Sequence, residues 1–321
     1  MAMVVMTACD DVILEVSSLT KSYGSLKAVD DLSFDVRRGE IFAFLGPNGA
    51  GKTTAISMIC GLLESDAGDV HMGGRSLKDG GREYRRHIGL CPQDIVIWEM
   101  LTCLEQLTMM GQLYDLSERE SRERALRLLD RLGLSDKKNA QAKTLSGGMK
   151  RRLNIALALV HGPDLLILDE PQAGLDPQSR VLVREYIRSI SDQTTVILTT
   201  HDMDEAEKLA DRVAIIDHGK LLVLDTPDRL KSRTCDGDIL EIRISGDVVT
   251  TDELQHGLPG NVSHMSYRDG TLRISGTCLP EALPLLMERL QRSGIAIEDM
   301  TLRKKSLEDV FILLTGRGLR E

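Results

Sequence analysis

One run of residues near the amino terminus has the types and spacing needed to hold a phosphate. Gly46 to Thr53 reads Gly-Pro-Asn-Gly-Ala-Gly-Lys-Thr and is followed by Thr54. In a Gly-x-x-x-x-Gly-Lys-Thr loop, the glycines let successive backbone N–H groups turn toward an anion. Lys52 would reach the β- and γ-phosphates of a nucleotide, and the hydroxyl of Thr53 would bind Mg²⁺. The loop therefore predicts nucleotide binding.

The segments on either side of the loop can form the strand and the helix that this chemistry requires. The apolar run 41–45 predicts a strand entering the loop, and the amphipathic run 55–63 predicts a helix leaving it. The positive end of that helix dipole would point at the phosphate. A glycine-rich turn without a ligand is the plainer interpretation, but a chance match in a chain of this length is on the order of 1%.

Two acidic residues follow a second apolar run. The continuous run Leu165 to Leu168 predicts a strand buried on both faces of a parallel sheet, and Asp169 and Glu170 come directly after it. Asp169 could hold Mg²⁺ through its water, and Glu170 could accept a proton from an attacking water near the γ-phosphate. Solvated carboxylates at a strand end are the alternative. With the phosphate loop, this pair leaves kinase, GTPase and motor ATPase open.

A second phosphate site is predicted farther along the chain. Ser146, Gly147 and Gly148 precede a helix and offer a hydroxyl, bare backbone amides and the positive end of a dipole. One polypeptide cannot easily fold two such sites around one phosphate. The segment Leu145–Gly148, together with the phosphate loop, resembles the nucleotide-binding subunit of an ATP-binding-cassette (ABC) transporter. In that family, the Leu-Ser-Gly-Gly segment of one subunit completes the ATP site built on the phosphate loop of the other.

This resemblance implies ATP and Mg²⁺ as cofactors and a head-to-tail homodimer that holds two ATP molecules. Tyr23 matches the aromatic residue that stacks on adenine, and Gln93 the glutamine that touches Mg²⁺ and the attacking water. Asp176 matches a polar contact across the dimer, and His201 the histidine that hydrogen-bonds the γ-phosphate. The implied catalytic residues are Lys52, Gln93, Glu170 and His201; the metal ligands are Thr53, Gln93 and Asp169; the nucleotide contacts are Tyr23, Asn48, Gly49, Ala50, Gly51, Lys52, Thr53, Thr54, Ser146, Gly147, Gly148 and Asp176.

The predicted fold class is α/β. Strands alternate with helices up to about residue 225, which predicts a mostly parallel sheet covered by helices. The resemblance implies a phosphate-loop ABC cassette over 1–232, with an antiparallel β subdomain and a helical subdomain at about 94–162. Strands predicted at 12–16 and 31–36 are separated by a polar loop that contains Tyr23. Beyond 233, a βαββαβ order over 233–321 predicts a small α+β domain that resembles a ferredoxin-like fold.

Composition limits the classes of function. The net charge of −9 argues against a general nucleic-acid binder, so no nucleic-acid partner is expected. No apolar stretch approaches the ~18 residues of a membrane span, and the first eleven residues do not form a signal peptide. The six cysteines are scattered, as expected of small core residues in a reducing compartment. A cytoplasmic protein is expected, whose membrane role would depend on a partner.

The carboxy-terminal residues narrow the resemblance to one branch of the family. Ser306–Phe311 and Leu314–Gly316 resemble the ending of ATPases from daunorubicin-type multidrug exporters, whose membrane protein is a separate chain. This implies an ATPase that powers export through a separate permease, at the inner face of the membrane. Residues 94–104, which include Trp98, would form the groove for that permease. The simpler interpretation is that Val310, Phe311 and Leu314 only pack a core.

Two other classes of function stay open at this stage. One is a soluble ABC ATPase that acts without a permease, in translation or DNA repair, although neither a second cassette nor a long coiled coil is evident. The other is a regulatory module that only binds nucleotide, which the intact Lys52, Asp169, Glu170 and His201 disfavour. Two residues depart from the usual family pattern: Met149 stands where many members have glutamine, and Gln172 replaces a small hydroxyl residue.

Overall fold

The chain, described from a computed structural model, forms two compact units that divide between Thr226 and Pro227. The sequence prediction put this boundary between 232 and 233. The structure describes residues 11–233, 237–245, 254, 258, 261–268, 270–277 and 279–315. The first unit contains the elements β1 (Val12–Tyr23), β2 (Leu26–Arg37), β3 (Ile41–Leu45), α1 (Lys52–Ile59), β4 (Ala67–Met72), β5 (Arg75–Ser76), α2 (Leu77–Arg86), β6 (Ile88–Cys91), α3 (Cys103–Leu113), α4 (Glu118–Arg131), α5 (Gly147–Leu159), β7 (Leu165–Asp169), α6 (Pro177–Ile190), β8 (Thr195–Thr200), α7 (Met203–Leu209), β9 (Arg212–Asp217) and β10 (Lys220–Asp225).

The central sheet of the first unit positions the predicted chemistry. Its order is β10-β9-β3-β8-β7-β6, and its strands are parallel except for the hairpin strand β10. Every residue of β3, β7 and β8 is buried, as expected of apolar strands covered on both faces. The carboxyl ends of parallel strands share one edge, so the segments after β3, β6, β7 and β8 meet there. The predicted mostly parallel sheet is confirmed.

A second sheet of this unit is antiparallel and has the order β2-β1-β4-β5. Phe34 of β2 packs against Phe42 and Phe44 of β3, with ring centroids 5.0–5.3 Å apart, so aromatic side chains join the two sheets. Strands β1 and β2 are longer than the sequence pattern predicted. Tyr23, predicted in a loop, is the last residue of β1. The register of this pair shifts at several points, and the shifts hide the alternation of apolar residues.

Helices α3, α4 and α5 pack against one another and form the predicted helical subdomain. Thr102 caps α3 and Ser117 caps α4, each accepting a hydrogen bond from a backbone N–H three residues on. The buried side of α4 carries Ala125 and Leu129, in the spacing expected of an amphipathic helix. Among the described cysteines, those at 60, 91 and 103 are free and buried, as predicted for core residues; Cys9, Cys235 and Cys278 lie outside the described residues.

The second unit is an antiparallel sheet with helices. Its elements are α8 (Pro227–Arg233), β11 (Asp238–Ser245), β12 (Asn261–Arg268), β13 (Thr271–Thr277), α9 (Leu279–Arg292), β14 (Ala296–Arg303) and α10 (Leu307–Thr315), and the strand order is β12-β13-β11-β14. Apolar residues of β11, β13 and α9 form its core, among them Ile242, Leu272 and Leu286. The sequence also predicts a short helix at 252–255, and this segment falls, except for Leu254, outside the described residues.

Helix α10 is fixed by a buried acidic residue. Asp309 accepts hydrogen bonds from the backbone N–H and hydroxyl of Ser306, which precedes the helix. It also pairs with Arg273 of β13 and Arg303 of β14, and Arg303 contacts Glu241 of β11 at 2.8 Å. The sequence itself predicts this helix start, because Ser306 is followed three residues on by the acidic Asp309. The structure adds the ion pairs that join α10 directly to β13 and β14, and through Arg303 to Glu241 of β11.

Replacing Phe311 with alanine is expected to lower the free energy of unfolding of the second unit by about 3–5 kcal/mol, because the substitution leaves a cavity. Phe311 is 0% exposed, whereas Leu314, on the same helix, is 42% exposed. The control Leu314→Ala should cost less than about 1 kcal/mol. Urea unfolding followed by circular dichroism measures the effect, while fluorescence of Trp98, the single tryptophan, follows the first unit. Equal losses in the two variants would contradict this packing.

Candidate active site

The segment between β3 and α1 has the geometry of a phosphate cradle. Gly51 stands directly before α1 with φ of 99°, and no side chain caps this helix end. A Cβ on Gly51 would overlap the backbone oxygen of Ala28, so only glycine fits this conformation and this space. The first N–H groups of α1 therefore remain available to an anion, at the positive end of the helix dipole. This cradle fits the phosphates of a nucleotide.

Lys52, the first residue of α1, is buried at the base of the cradle. Its Nζ donates hydrogen bonds to the carbonyl oxygens of Gly46 (2.7 Å) and Pro47 (3.0 Å) and lies 4.0 Å from Oε1 of Glu170. Burial lowers the pKa of Lys52, and the carboxylates of Glu170 and Asp169 oppose this shift. The ammonium group is thus held between the loop and the end of β7.

Oxygen ligands suitable for Mg²⁺ lie beside Lys52. The hydroxyl of Thr53 donates to Oδ2 of Asp169 at 3.0 Å, and the hydroxyl of Thr199 donates to the other carboxylate oxygen. Gln93, after β6, lines the same cavity as Lys52, Thr53 and Asp169. Hydroxyl, carboxylate and amide oxygens are the donors that Mg²⁺ prefers. The residues present therefore fit a magnesium ion at the ends of β6 and β7.

Contacts fix both the backbone and the side chain of Glu170. Its φ of 51° lies in the left-handed region, where a residue other than glycine is strained. Its backbone N–H donates to the hydroxyl of Thr199 at 3.0 Å. The buried carboxylate places Oε2 2.8 Å from Nδ1 of His201. The structure therefore brings Glu170, His201 and Lys52 together where the sequence predicted an attacking water.

Glu170 and Lys52 line a cavity of about 640 Å³, large enough for a nucleotide, whereas His201 does not line it. Tyr23, at the end of β1, lies at its rim with its ring half exposed, where an adenine could stack on it. Ala50, by contrast, is buried and does not line the cavity. The lining residues include Tyr23, Lys27, Asn48, Gly49, Gly51, Lys52, Thr53, Thr54, Gln93, Asp169, Glu170 and His218. Lys27 and His218 were not singled out from the sequence.

The other predicted contacts form a separate group. Ser146 caps α5 by accepting a hydrogen bond from the N–H of Met149 at 3.3 Å. Asp176 caps α6 and accepts bonds from the N–H and hydroxyl of Ser179, which lower the pKa of its carboxyl. A Cβ on Gly148 would lie 3.4 Å from Oδ2 of Asp176, while the space around Gly147 is open. None of these four residues lines the 640 Å³ cavity.

Similarity to known proteins identifies the family. A model of the ABC transporter family matches residues 29–173. The linearmycin resistance ATP-binding protein LnrL of Bacillus subtilis (strain 168) is 36% identical to this chain, over 96% of this chain and 100% of that protein. The chain belongs to the ABC transporter ATP-binding proteins. This ABC ATPase is therefore an ATP-hydrolysing enzyme, and the family resemblance inferred from the sequence is confirmed.

Other relatives and solved structures extend this result. The daunorubicin/doxorubicin resistance ATP-binding protein DrrA of Streptomyces peucetius is 39% identical, over 94% of this chain and 92% of that protein. A Nod factor export ATP-binding protein I of Ralstonia nicotianae is 36% identical, over 96% of this chain and 95% of that protein. A solved ATP-binding subunit of an ABC transporter is 34% identical with a TM-score of 0.64, and covers 69% of this chain and 92% of its own. The cassette MJ0796, a dimer bound to ADP and Pi, is 26% identical with a TM-score of 0.62. The match covers 67% of this chain and 98% of that cassette.

Two residues of this ABC ATPase near the acidic pair were not understood from the sequence. Gln172, a departure from the family pattern, is buried, and its Nε2 has no hydrogen-bond partner among the described residues. Arg151 of α5 was treated only as part of a basic variant of the signature segment. Its side chain is buried and donates to the carbonyl oxygens of Asp169 and Glu170 at 2.6 Å each. The feature of the sequence that could have revealed this role is the position of an arginine on the apolar face of α5.

Glu205 makes stability depend on pH. Burial raises the pKa of Glu205 to about 7, and nearby Asp202 and Glu170 add to the shift, while its hydrogen bond from Thr200 opposes it. The folded chain therefore binds more protons than the unfolded chain between about pH 4.5 and 7, and stability is lost as the pH rises through this range. Glu205→Gln should remove this loss, which is about 3 kcal/mol at most.

Urea midpoints at pH 5.5 and pH 8 test this expectation. Relative to wild type, Glu205→Gln should be more stable at the higher pH than at the lower one. The control Asp204→Asn replaces an exposed acid on the same helix and should leave the pH dependence unchanged. If wild type and Glu205→Gln lost stability equally between these pH values, the buried carboxyl would not be the titrating group.

Proposed function

We propose that two copies of this chain bind MgATP between them and hydrolyse it to power export through a separate membrane permease. One observation carries the proposal: a single chain divides its predicted nucleotide contacts into two groups, the 640 Å³ cavity and the group around Ser146. In a head-to-tail pair, the second group of one copy would complete the cavity of the other. The dimeric ADP-bound cassette MJ0796 supports such a pairing.

Within one copy, the cradle would hold the phosphates and Tyr23 would stack on adenine. Mg²⁺, held by Thr53, Gln93 and Asp169, would neutralise charge on the phosphate oxygens. Glu170 would accept the proton of the attacking water, and His201, whose Nδ1 lies 2.8 Å from the Glu170 carboxylate, would hydrogen-bond the γ-phosphate. Backbone groups of Asn48, Gly49, Ala50 and Gly51 and the side chains of Lys52, Thr53 and Thr54 would contact the phosphates.

The second copy would contribute Ser146, Gly147 and Gly148. These residues offer the hydroxyl and the free amides at the start of α5, together with the positive end of its dipole. Asp176 would make a polar contact across the pair. ATP binding would then favour the closed pair and hydrolysis would release it, which gives two states that a permease could couple to transport.

A groove beside Gln93 supports a permease partner. It has a volume of about 300 Å³, and exposed apolar residues surround it, with Val96 59% and Trp98 40% exposed. An exposed apolar patch of this kind would fit a partner surface. Tyr114 stacks on His161 in its wall, and burial lowers the pKa of His161 to about 4. The wall of the groove would therefore present a neutral imidazole to the permease at this point.

Export is supported by the relatives, which are named for linearmycin and daunorubicin resistance and for Nod factor export. Within the described residues, each helix is too short or too polar to cross a lipid bilayer. As part of an ABC exporter, the chain would lie on the cytoplasmic face of the membrane, bound to its permease. Drug, lipid, peptide and ion all remain possible cargoes, because the permease contacts the cargo.

We also propose that the first unit is the ATPase domain and that the second unit, which begins at Pro227, is an accessory domain with a ferredoxin-like fold. The strand order β12-β13-β11-β14 supports this fold, since it places the first and third strands of the domain at the centre. The accessory domain would be regulatory, and it differs from the β-rich extensions of importers.

The permease partner is tested by the distribution of the chain between membrane and supernatant in its own cells. Val96→Asp should move most of the chain from the membrane fraction to the supernatant, because a charge in an apolar groove is costly. The control Val181→Asp replaces a side chain that is 41% exposed on α6 and should leave the distribution unchanged. If wild type itself stayed in the supernatant while hydrolysing ATP, the soluble ATPase without a permease would be the better explanation.

A further inference from the structure

Arg151 is among the largest fully buried side chains of the protein, with 2% exposure. It lies on the second turn of α5, and its guanidinium uses all five N–H donors on backbone carbonyl oxygens. Among its described contacts, none is a carboxylate, so a buried cation is satisfied by carbonyl dipoles alone. The contacts are Nε to Pro171 (3.2 Å), Nη1 to Pro92 (2.6 Å) and Gln93 (2.9 Å), and Nη2 to Asp169 and Glu170 (2.6 Å each).

These carbonyls belong to two segments that leave neighbouring parallel strands. Strands β6 and β7 pair up to Cys91 and Leu168, and the next residues on each strand no longer pair with each other. Arg151 joins the two chains at the point where this ladder ends. One of these segments carries Gln93 and the other carries Glu170, so one guanidinium fixes the backbone behind both side chains.

The conformation of Glu170 explains why such a contact is needed. Its φ of 51° is sparsely populated for a residue with a Cβ, and such a conformation persists only where its surroundings hold it. The backbone N–H of Glu170 is held by Thr199, and its carbonyl by Arg151. Arg151 also holds the carbonyls on either side, those of Asp169 and Pro171. The guanidinium therefore fixes the turn that presents the Glu170 carboxylate.

We propose that Arg151 is a positioning residue that makes the Gln93 segment, the Glu170 turn and helix α5 move as one body. This proposal rests on the proposed function, in which Gln93 and Glu170 act on ATP and α5 contacts the nucleotide of the other copy. Because α5 begins one residue after Ser146, a displacement of that helix end would reach both side chains through Arg151. The second copy would thereby influence the water-activating side chains of the first.

Arg151→Lys and Arg151→Met test the proposal, and Arg152→Met is the matched control. Arg152 is the next residue of α5 and also donates to carbonyls, but to those of Leu132, Gly133 and Gly148. Lysine keeps the charge and loses the planar fork of donors. Arg151→Lys should lower kcat at least about tenfold and change KM for ATP less than about threefold, since the reacting groups are displaced while the cradle is intact.

Hydrogen exchange of the nucleotide-free chain supplies a readout independent of turnover. In Arg151→Lys, amides of 92–98 and of 169–176 should exchange faster together, while the rest of the first unit stays as in wild type. In Arg152→Met, these two segments should exchange as in wild type. Normal kcat in Arg151→Lys, faster exchange in only one segment, or faster exchange throughout the unit would each overturn the proposal. If Arg151→Met does not fold, the lysine variant decides. An inactive wild type would refute the proposed function, and the exchange data would still test Arg151.

Discussion

Replacing Glu170 with glutamine should lower kcat for ATP hydrolysis about a thousandfold, with ATP still bound, because the amide cannot accept the proton of the attacking water. The substitution preserves the size of a buried side chain. It also keeps an oxygen or nitrogen near Nδ1 of His201, which lies 2.8 Å from the Glu170 carboxylate. Release of inorganic phosphate under saturating MgATP measures kcat, and equilibrium binding of a fluorescent ATP analogue measures affinity.

Glu123→Gln is a suitable control for this loss, because Glu123 is an exposed acid on α4, far along the chain from the site. It should hydrolyse ATP at the wild-type rate. If Glu170→Gln also turned over ATP at that rate, Glu170 would not be the general base. The contact between His201 and Glu170 would then have no role in activating water.

Replacing Lys52 with methionine should weaken ATP binding about a hundredfold, which corresponds to the loss of about 3 kcal/mol of charge-assisted contacts. Methionine has a similar length and removes the ammonium group that bonds to Gly46 and Pro47. Its loss also removes the positive charge that interacts with the carboxylates of Glu170 and Asp169, which further disfavours an anionic ligand. Titration of the chain with the fluorescent ATP analogue measures the change.

The matched control for this loss is Lys27→Met at the rim of the same cavity. Lys27 is exposed and pairs with Asp30 at 3.0 Å, so its loss should change the affinity for ATP less than about threefold. Equal losses of affinity in the two variants would mean that the general positive charge of the cavity, and not the position of Lys52, determines binding.

The phosphate loop and the acidic pair were predictable because the information for them is local. The glycines, Lys52 and Thr53 are consecutive in the sequence, and the strand before Asp169 is a single apolar run. By contrast, the long hairpin of β1 and β2 was recognised only in part. Ser18 and Asp31 adopt positive φ values of 52° and 55°, and the register shifts around them break the alternation on which strand prediction depends.

Contacts between distant segments account for what the sequence did not reveal. Arg151 was assigned no role of its own, because its acceptors are backbone carbonyls 18 to 59 residues away, and backbone groups leave no mark in a sequence. Asp309 was recognised as part of a helix start, but its partner Arg273 lies 36 residues away on a strand. The apolar residues of the last helix, α10, pack a core only in part, since Phe311 is buried and Leu314 is exposed.

The central claim is that each ATP site is shared between two copies, and mixing two inactive variants tests it most directly. Lys52→Met damages the cradle, and Gly147→Arg adds a long side chain where the structure leaves open space, so it should block the partner's nucleotide without disturbing its own chain. Each variant alone should be nearly inactive. In a mixed pair, one site carries both changes and the other carries neither.

An equal mixture should therefore regain about a quarter of wild-type ATPase activity, because about half of the pairs are mixed and each has one intact site. A mixture of Lys52→Met with Glu170→Gln should regain none, since both residues belong to the same cavity of one chain. Recovery in the first mixture and none in the second is the result expected of a shared site. A first mixture no more active than its two parents would contradict it.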